Sequence, residues 1–331
     1  MDLRVSIKKK LRDFTLDVDF IVKDEIFALL GASGCGKSMT LKCIAGIETP
    51  DEGRIILNGR TLYDSDKKIN LPPQKRRAGY LFQNYALFPN MTVAQNISFA
   101  ATGDKDAQLK QNIQRFQLNG LENAYPRQLS GGQQQRVAFA RVLTSHAEIL
   151  LLDEPFSALD SHLKWQLELE LNDIFKHYGA AVLVSHDRGE VYRLADTVAV
   201  MHNGFITTLD SKKNVFNHPK TLAATILTGC KNISPAKKIS DNKLFAEDWK
   251  IELPAENIPD NLKFVGIRAH DLIIDDAGIE LSVAQVIEDT NRFIIMIRAQ
   301  GSPLRMEVAK SLWNSSANIH VRFDKLILME S

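Results

Sequence analysis

No stretch of this 331-residue chain stays apolar for the length of a membrane span, so the sequence predicts no spanning helix. The triplet Lys8-Lys9-Lys10 stands near the start, but no apolar signal-peptide core follows it. Both absences predict a protein made and kept in the cytosol, and neither excludes a membrane partner. Cysteine is scarce. Cys35, Cys43 and Cys230 are odd in number and have no metal-ligand spacing, which excludes a disulfide framework and predicts reduced thiols. An excess of one charge is also missing: the net charge is +1, without the basic balance usual in proteins that bind nucleic acid. There is no low-complexity segment and no clear internal repeat. What remains is an ordinary globular composition, long enough for one large or two ordinary domains.

The pattern changes along the chain. Up to about residue 30, apolar and polar residues alternate (Leu3, Val5, Ile7; Phe14, Leu16, Val18, Phe20), which predicts antiparallel strands. Beyond that, strand-like runs at Ile26 to Leu30, Ile149 to Leu152, Ala180 to Val184 and Thr197 to Met201 alternate with helical stretches at Lys37 to Gly46, Gln133 to Thr144, Ser161 to His177 and Arg188 to Ala195. That alternation argues for an α/β fold with a parallel sheet under helices. The runs ILLL and AVLV do not alternate, as befits central strands buried on both faces. Residues 210–228 read as a helical connector. From Gly229-Cys230-Lys231-Asn232 onward, short strands dominate: 263–268, 272–274, 279–286, 292–298, 304–308, 319–323 and 325–329. This predicts a small all-β domain, sandwich or barrel.

GASGCGKS, residues 31–38, fits G-x-x-x-x-G-K-[ST] in full and lies between a predicted strand and a predicted helix, the context the motif requires. Glycines let backbone N–H groups approach phosphate oxygens without a Cβ in the way. The helix that starts at about Lys37 favours anions at its N-terminus. Gly31, Ala32, Ser33, Gly34, Cys35, Gly36, Lys37, Ser38 and Met39 are therefore the candidate nucleotide-binding residues. The Lys37 ammonium would reach the β- and γ-phosphates, and the Ser38 hydroxyl is a hard oxygen ligand for Mg²⁺. Cys35 reads as a tolerated small residue. Downstream, ILLLDEP (149–155) ends an apolar strand in two carboxylates. Asp153 is the candidate Mg²⁺ ligand, and Glu154 the candidate general base for the attacking water.

LSGGQQQR (129–136) resembles the signature of ATP-binding-cassette ATPases. Other positions agree with the family: Gln83 in YLFQ, Ser157-Ala158-Leu159-Asp160 after the carboxylate pair, and His186 in LVSHD, in the family's order over residues 1 to about 205. The resemblance implies a P-loop cassette of mixed sheet with a helical subdomain at about 84–145. Ser130, Gly131, Gly132 and Gln133 precede a helix, a second anion site. In the family that site holds the γ-phosphate of ATP bound to the other subunit, so two nucleotides are sandwiched in a head-to-tail dimer, with Asp160 at the seam. By the same resemblance His186 contacts the γ-phosphate, and Gln83 reaches Mg²⁺ or water. The family stacks adenine on an aromatic residue just over twenty positions before the loop. Here that region reads Lys8-Lys9-Lys10-Leu11, with Phe14 somewhat late, which leaves a lysine stem or Leu11 as the substitute.

LPPQKRRAGYLFQNYALFP (71–89) is similar to bacterial importers of the sulfate, molybdate, maltose and polyamine type. Those chains carry a C-terminal β-domain of OB-like strands, and VGIRAHD (265–271) resembles its opening phrase. The implied division is a cassette at 1–209, a connector at 210–228 and an OB-like regulatory or dimerisation domain at 229–331. The implied partners are a second copy, membrane permease subunits and, indirectly, an extracytoplasmic oxyanion-binding protein; nucleic acid is not among them. The implied place is the cytoplasmic face of the membrane. The stretch 58–77 and the GCKN phrase look most like molybdate or sulfate importer subunits, with sugar, polyamine or iron as alternative cargo. Residues 229–331 show no clear oxyanion pocket motif, so a domain that only dimerises competes with a ligand-binding one. Lys75-Arg76-Arg77 reads as a solvated loop. A soluble non-transport cassette ATPase would be expected to carry a second cassette or a long coiled coil. A P-loop kinase would have no use for the signature or His186.

Overall fold

The computed structural model describes residues 1–101, 103–145, 147–157, 161–314 and 316–330, with the backbone alone for 161–163, 176 and 177. Asp160 and its neighbours Ala158 and Leu159 lie outside the described residues. The chain divides into two compact units, Met1–Lys212 and Lys213–Ser331.

In chain order the strands of the first unit are β1 (Asp2–Lys10), β2 (Thr15–Lys23), β3 (Ile26–Gly31), β4 (Glu52–Leu57), β5 (Arg60–Asp64), β6 (Ile69–Asn70), β7 (Ala78–Leu81), β8 (Ile149–Asp153), β9 (Ala181–Ser185), β10 (Thr197–His202) and β11 (Phe205–Ser211). The helices are α1 (Lys37–Ala45), α2 (Pro73–Arg76), α3 (Val93–Ser98), α4 (Lys105–Arg115), α5 (Gly131–Thr144), α6 (Ser161–Tyr178) and α7 (Arg188–Leu194). Among the described residues the strands form one mixed sheet, ordered β6-β5-β4-β1-β2-β11-β10-β3-β9-β8-β7. The stretch β6-β5-β4-β1-β2 is antiparallel, and β11 joins it in parallel to β2. There β1 and β2 bury Leu3, Val5, Ile7, Leu16, Val18, Phe20 and Val22 at alternate positions and turn the polar residues out. The other half, β10-β3-β9-β8-β7, is parallel throughout. Strands β3, β8 and β9 are buried at every position, as continuous apolar runs covered on both faces must be.

This topology positions the site. Because β3, β7, β8 and β9 run in one direction, their carboxyl ends share one edge of the sheet, where open α/β sheets bind ligands. Gly31, Asp153 and Ser185 end β3, β8 and β9, and Gln83 follows β7 by two residues. Helices α3, α4 and α5 pack on one another, each started by a side-chain cap: Thr92 with Gln95, Asp104, and Ser130 with Gln133.

Helix α8 (Lys212–Asn217) begins at the last residue of the first unit; the second unit continues with α9 (Leu222–Leu227), β12 (Asn232–Ser240), β13 (Lys243–Ala246), β14 (Ile251–Pro254), β15 (Phe264–Ile267), β16 (Leu272–Glu288), β17 (Arg292–Arg298), β18 (Leu304–Ala309), β19 (Asn318–Phe323) and β20 (Ile327–Met329). Two sheets result, β14-β13-β12-β15-β20 and β18-β17-β16-β19. They share one core that includes Leu244, Leu253, Val265, Ile295, Ile297 and Val321. The all-β expectation for this part of the chain agrees with these sheets.

Four details differ from the sequence reading. Strand β11 runs through Ser211, so residues 210 and 211 are strand, not connector. The stretches 272–274 and 279–286 form one strand, β16, with an irregularity between Ile274 and Ile279. Strands β4 to β7 and β12 to β14 are further strands that the sequence patterns above do not mark. The basic triplet is not a solvated loop throughout: Arg76 is fully buried. Its guanidinium donates to the carbonyls of Cys43 (2.7 Å) and Ile44 (2.9 Å) at the end of α1, to Leu71 O (2.7 Å) and to Asn70 Oδ1 (2.8 Å). It thereby satisfies carbonyls that a helix C-terminus leaves open.

Candidate active site

The loop after β3 enters α1 through Gly36, at φ +109°. That conformation suits glycine, and a Cβ there would lie 2.8 Å from Leu16 Cδ1. No side chain caps the first turn of α1, so its N–H groups are left for a ligand. Lys37, nearly fully buried, donates from Nζ to the carbonyls of Gly31 (2.8 Å) and Ala32 (2.9 Å). Cys35 packs beneath the loop, 3.9 Å from the same ammonium, and is buried, in keeping with a small filler.

A cleft of about 510 Å³ opens over the loop. Ser33, Gly34, Gly36, Lys37, Ser38, Met39, Lys42, Gln83 and Glu154 form one part of its lining. Leu11, Arg12, Asp13 and Phe14 form another. The last four make the turn of the β1–β2 hairpin, closed by Leu11 N to Phe14 O at 2.9 Å. Phe14 therefore reaches the cleft despite its late place in the sequence. The lysines of the triplet are not in the lining: Lys8 pairs with Asp17 at 3.1 Å, and Lys9 donates to Thr49 O at 2.8 Å. Leu11, Phe14 and Met39 are the large apolar side chains in this lining.

At the end of β8, both oxygens of Asp153 are engaged by hydroxyls. Ser38 Oγ donates to Oδ1 (2.7 Å) and Tyr80 Oη donates to Oδ2 (2.8 Å). Burial first, then the adjacent carboxylate, pushes the Tyr80 phenol well above its usual range, so it stays a donor. A hydroxyl and a carboxylate in contact, both hard oxygens, suit Mg²⁺, which keeps several waters and takes few protein ligands. No cluster of three or more His, Cys, Asp or Glu side chains suited to a metal occurs among the described residues.

One residue on, Glu154 sits at φ +47°, and its N–H donates to Val184 O at 3.0 Å. Its carboxylate meets Gln83 Nε2 at 3.1 Å through Oε2 and His186 Nδ1 at 3.1 Å through Oε1. Three residues far apart in sequence thus converge on one carboxylate beside the loop. The residues on either side of His186 are anchored. Ser185 Oγ donates to Glu190 (2.5 Å), and Asp187 caps α7 through Gly189 N (2.7 Å) and Glu190 N (3.2 Å). Lys164 of α6 bridges Asp187 (2.5 Å) and Glu190 (2.6 Å). Burial works against the charges of Lys164 and Asp187, yet the hydrogen bonds between them win, raising the lysine and lowering the aspartate.

The signature lies elsewhere. Ser130 Oγ accepts from Gln133 N (3.3 Å), and Gln133 Oε1 accepts from Ser130 N (2.9 Å), which caps α5. None of Ser130, Gly131, Gly132 and Gln133 lines the cleft over the loop, and Ser130 and Gly131 are exposed. Sequence reasoning missed Tyr80, Lys164 and Glu190. Only Asp187 with Glu190 had a signal, as a cap followed three residues later by an acid.

A glycine-rich loop at a helix start, a carboxylate engaged by the loop's serine and a second carboxylate flanked by Gln83 and His186 are brought together at one end of the sheet. Residues 15–157 match the family model described as ABC transporter. The spermidine/putrescine import ATP-binding protein of Clostridioides difficile is 39% identical over 71% of this chain and 67% of its own length. The Fe(3+) ions import ATP-binding protein of Haemophilus influenzae is 39% identical over 74% and 72%. The sulfate/thiosulfate import ATP-binding protein of Synechocystis is 36% identical over 85% and 80%. The chain belongs to the ABC transporter family, as an ATP-binding protein of the importer type. This cassette is an ATPase, and its cofactors are ATP and Mg²⁺. Among solved structures, a dimeric post-hydrolysis cassette bound to ADP and phosphate superposes with a TM-score of 0.56 at 26% identity, covering 64% of this chain and 99% of that one. No described helix of this cassette is long and apolar enough to cross a membrane.

Proposed function

We propose that this chain powers an importer of an oxyanion, molybdate, tungstate or sulfate, as a pair of copies that sandwich two ATP molecules against membrane permease subunits. The observation that carries the hydrolytic part is the meeting of Gln83 and His186 on Glu154 beside Ser38 and Asp153. In this reading the amides of Gly31 to Met39 and the Lys37 ammonium bind the phosphates, while Leu11 and Phe14 flank the base. Ser38, Asp153 and Gln83 would hold Mg²⁺, which supplies charge neutralisation on the phosphate oxygens. Glu154 takes the proton of the attacking water. Gln83 and His186 fix that water and contact the γ-phosphate. Ser130, Gly131, Gly132 and Gln133 act on the partner copy's nucleotide, which fits their absence from the cleft of their own chain. Asp160 would stand at the seam.

Residues 1–209 form the cassette in this reading, with its helical part at about 84–145 as the permease contact; 210–228 connect and 229–331 dimerise or regulate. Binding of ATP closes the pair because each γ-phosphate bridges two chains, and hydrolysis reopens it. The oxyanion cargo draws support from the sulfate/thiosulfate relative. Its alignment extends over 296 residues, against 241 for the polyamine relative and 253 for the iron relative. Polyamine or iron is the second reading, favoured by those two relatives' names. A C-terminal oxyanion site has less support. The cleft of about 650 Å³ in the second unit is lined by Asn242, Glu256, Asp324 and apolar residues, without a cation. The test is ATPase activity of the membrane complex in liposomes with its extracytoplasmic binding protein. Stimulation by molybdate, tungstate or sulfate supports the oxyanion reading; stimulation by a polyamine or iron alone removes it.

A further inference from the structure

The backbone just after Gln83 is held where its sequence does not favour it. Tyr85 (φ +60°) and Ala86 (φ +44°) are consecutive non-glycine residues in the left-handed region, which any Cβ makes costly. Upstream, the segment is tied to the sheet through β7. Downstream, Phe88 is pinned by the buried Asn96 of α3, which accepts from Phe88 N (2.9 Å) and donates to Phe88 O (3.1 Å). The turn at residues 85 and 86 therefore absorbs the mismatch between two fixed ends.

One side chain holds that turn. Arg141, in the last turn of α5, donates from Nη2 to Tyr85 O and from Nη1 to Ala86 O, both at 2.8 Å. Its guanidinium also lies over the Phe88 ring, 5.3 Å from the centroid. Two parallel donors in a rigid fork fix two successive carbonyls, which an ammonium does not reproduce. The other link from α5 is weak. Tyr85 Oη reaches Gln135 Oε1 at 3.5 Å, and the buried Gln135 Nε2 has no hydrogen-bond partner among the described residues.

We propose that Arg141 is a positioning residue for hydrolysis: it clamps the left-handed turn at Tyr85-Ala86 and thereby sets Gln83 against Glu154. The clamp rests on the role given above to Gln83. It also makes α5 a double contact, because the helix begins at the signature and ends on the Gln83 loop, so movement of one end is felt at the other.

The test compares R141A, R141K, the double variant R141A/A86G and Q83A, each measured for ATP affinity, kcat, KM and thermal unfolding. R141A is expected to lower kcat by about 10- to 100-fold, the cost of misplacing a reacting group by about an ångström, with ATP affinity and KM little changed. R141K is expected to recover little. Adding A86G, which lowers the cost of the left-handed turn, is expected to restore several-fold of the lost kcat, a rescue that a merely structural arginine would not show. Wild-type kcat in R141A while Q83A is impaired overturns the clamp. So does loss of kcat only in step with the folded fraction, or a double variant no better than R141A. Full activity in Q83A overturns the Gln83 role beneath it.

Discussion

Glu154 and His186 face each other across 3.1 Å, from the carboxylate Oε1 to the imidazole Nδ1, at the ends of two neighbouring parallel strands. The register between β8 and β9 enforces this approach: Asp153 pairs with Val184, and the next N–H, that of Glu154, donates to Val184 O. The backbone thus delivers the Glu154 carboxylate to Gln83 and His186, at the expense of a left-handed residue.

Glu154→Gln keeps the size and the hydrogen-bonding surface of the side chain but cannot take a proton. Turnover is expected to fall by about 10²- to 10⁴-fold while ATP still binds. With ATP and Mg²⁺ the variant is expected to persist as a dimer in size-exclusion chromatography. Turnover within twofold of the parent protein would remove Glu154 as the base.

Tyr80→Phe removes one of the two hydroxyls that hold Asp153 and leaves the ring in place. The free Asp153 oxygen gains rotational freedom, and the Mg²⁺ concentration for half-maximal activity is expected to rise about tenfold. Mn²⁺ binding followed by electron paramagnetic resonance checks this separately from turnover. An unchanged metal affinity would show that Ser38 alone orients the carboxylate.

Arg76→Ala is expected to destabilise the protein by about 3 kcal/mol, because it strips the donors from buried carbonyls at the end of α1. Chemical denaturation reads this directly. A loss below about 0.5 kcal/mol, the range of ordinary surface changes, would contradict the structural role assigned to the buried guanidinium.

Cys43 is fully buried, and burial pushes its thiol up to about 12 from an unfolded value of 9.0. The folded state therefore holds its proton where the unfolded state releases it. The stabilising contribution is complete below pH 9 and declines as pH rises toward 12. Cys43→Ser is expected to flatten this alkaline loss in urea titrations at successive pH values. In the native protein at pH 8, Cys43 is expected to resist iodoacetamide, measured by mass spectrometry, since the thiolate is the reactive form.

Local chemistry was legible wherever a function needs particular residue types at fixed spacing. GASGCGKS, ILLLDEP, LSGGQ and the His186 stretch each declare their chemistry within eight residues, because a phosphate cradle, an acidic strand end and a helix cap are built by neighbours in the chain. The alternating and continuous apolar runs likewise marked β1, β2, β3, β8 and β9, since the burial of one face or two is written into the period. The strands β4 to β7 were hidden for the opposite reason. They lie toward the two edges of the sheet, where burial is incomplete, so neither a clean alternation nor a continuous apolar run marks them.

The sequence by itself thus determined which groups this cassette owns: the loop, the two carboxylates, the glutamine, the histidine and the signature. Only the tertiary structure decided how they meet. The shared direction of the parallel strands brings Gln83, Glu154 and His186 together, and packing engages Asp153 with Tyr80 as well as Ser38. It also turned a basic run into a buried cap at Arg76, and placed Phe14 in the cleft from a position the spacing did not favour. The physical reason is common to all of these. Hydrogen bonds between residues distant in sequence depend on sheet order, register and the closing of turns, and no local period encodes those.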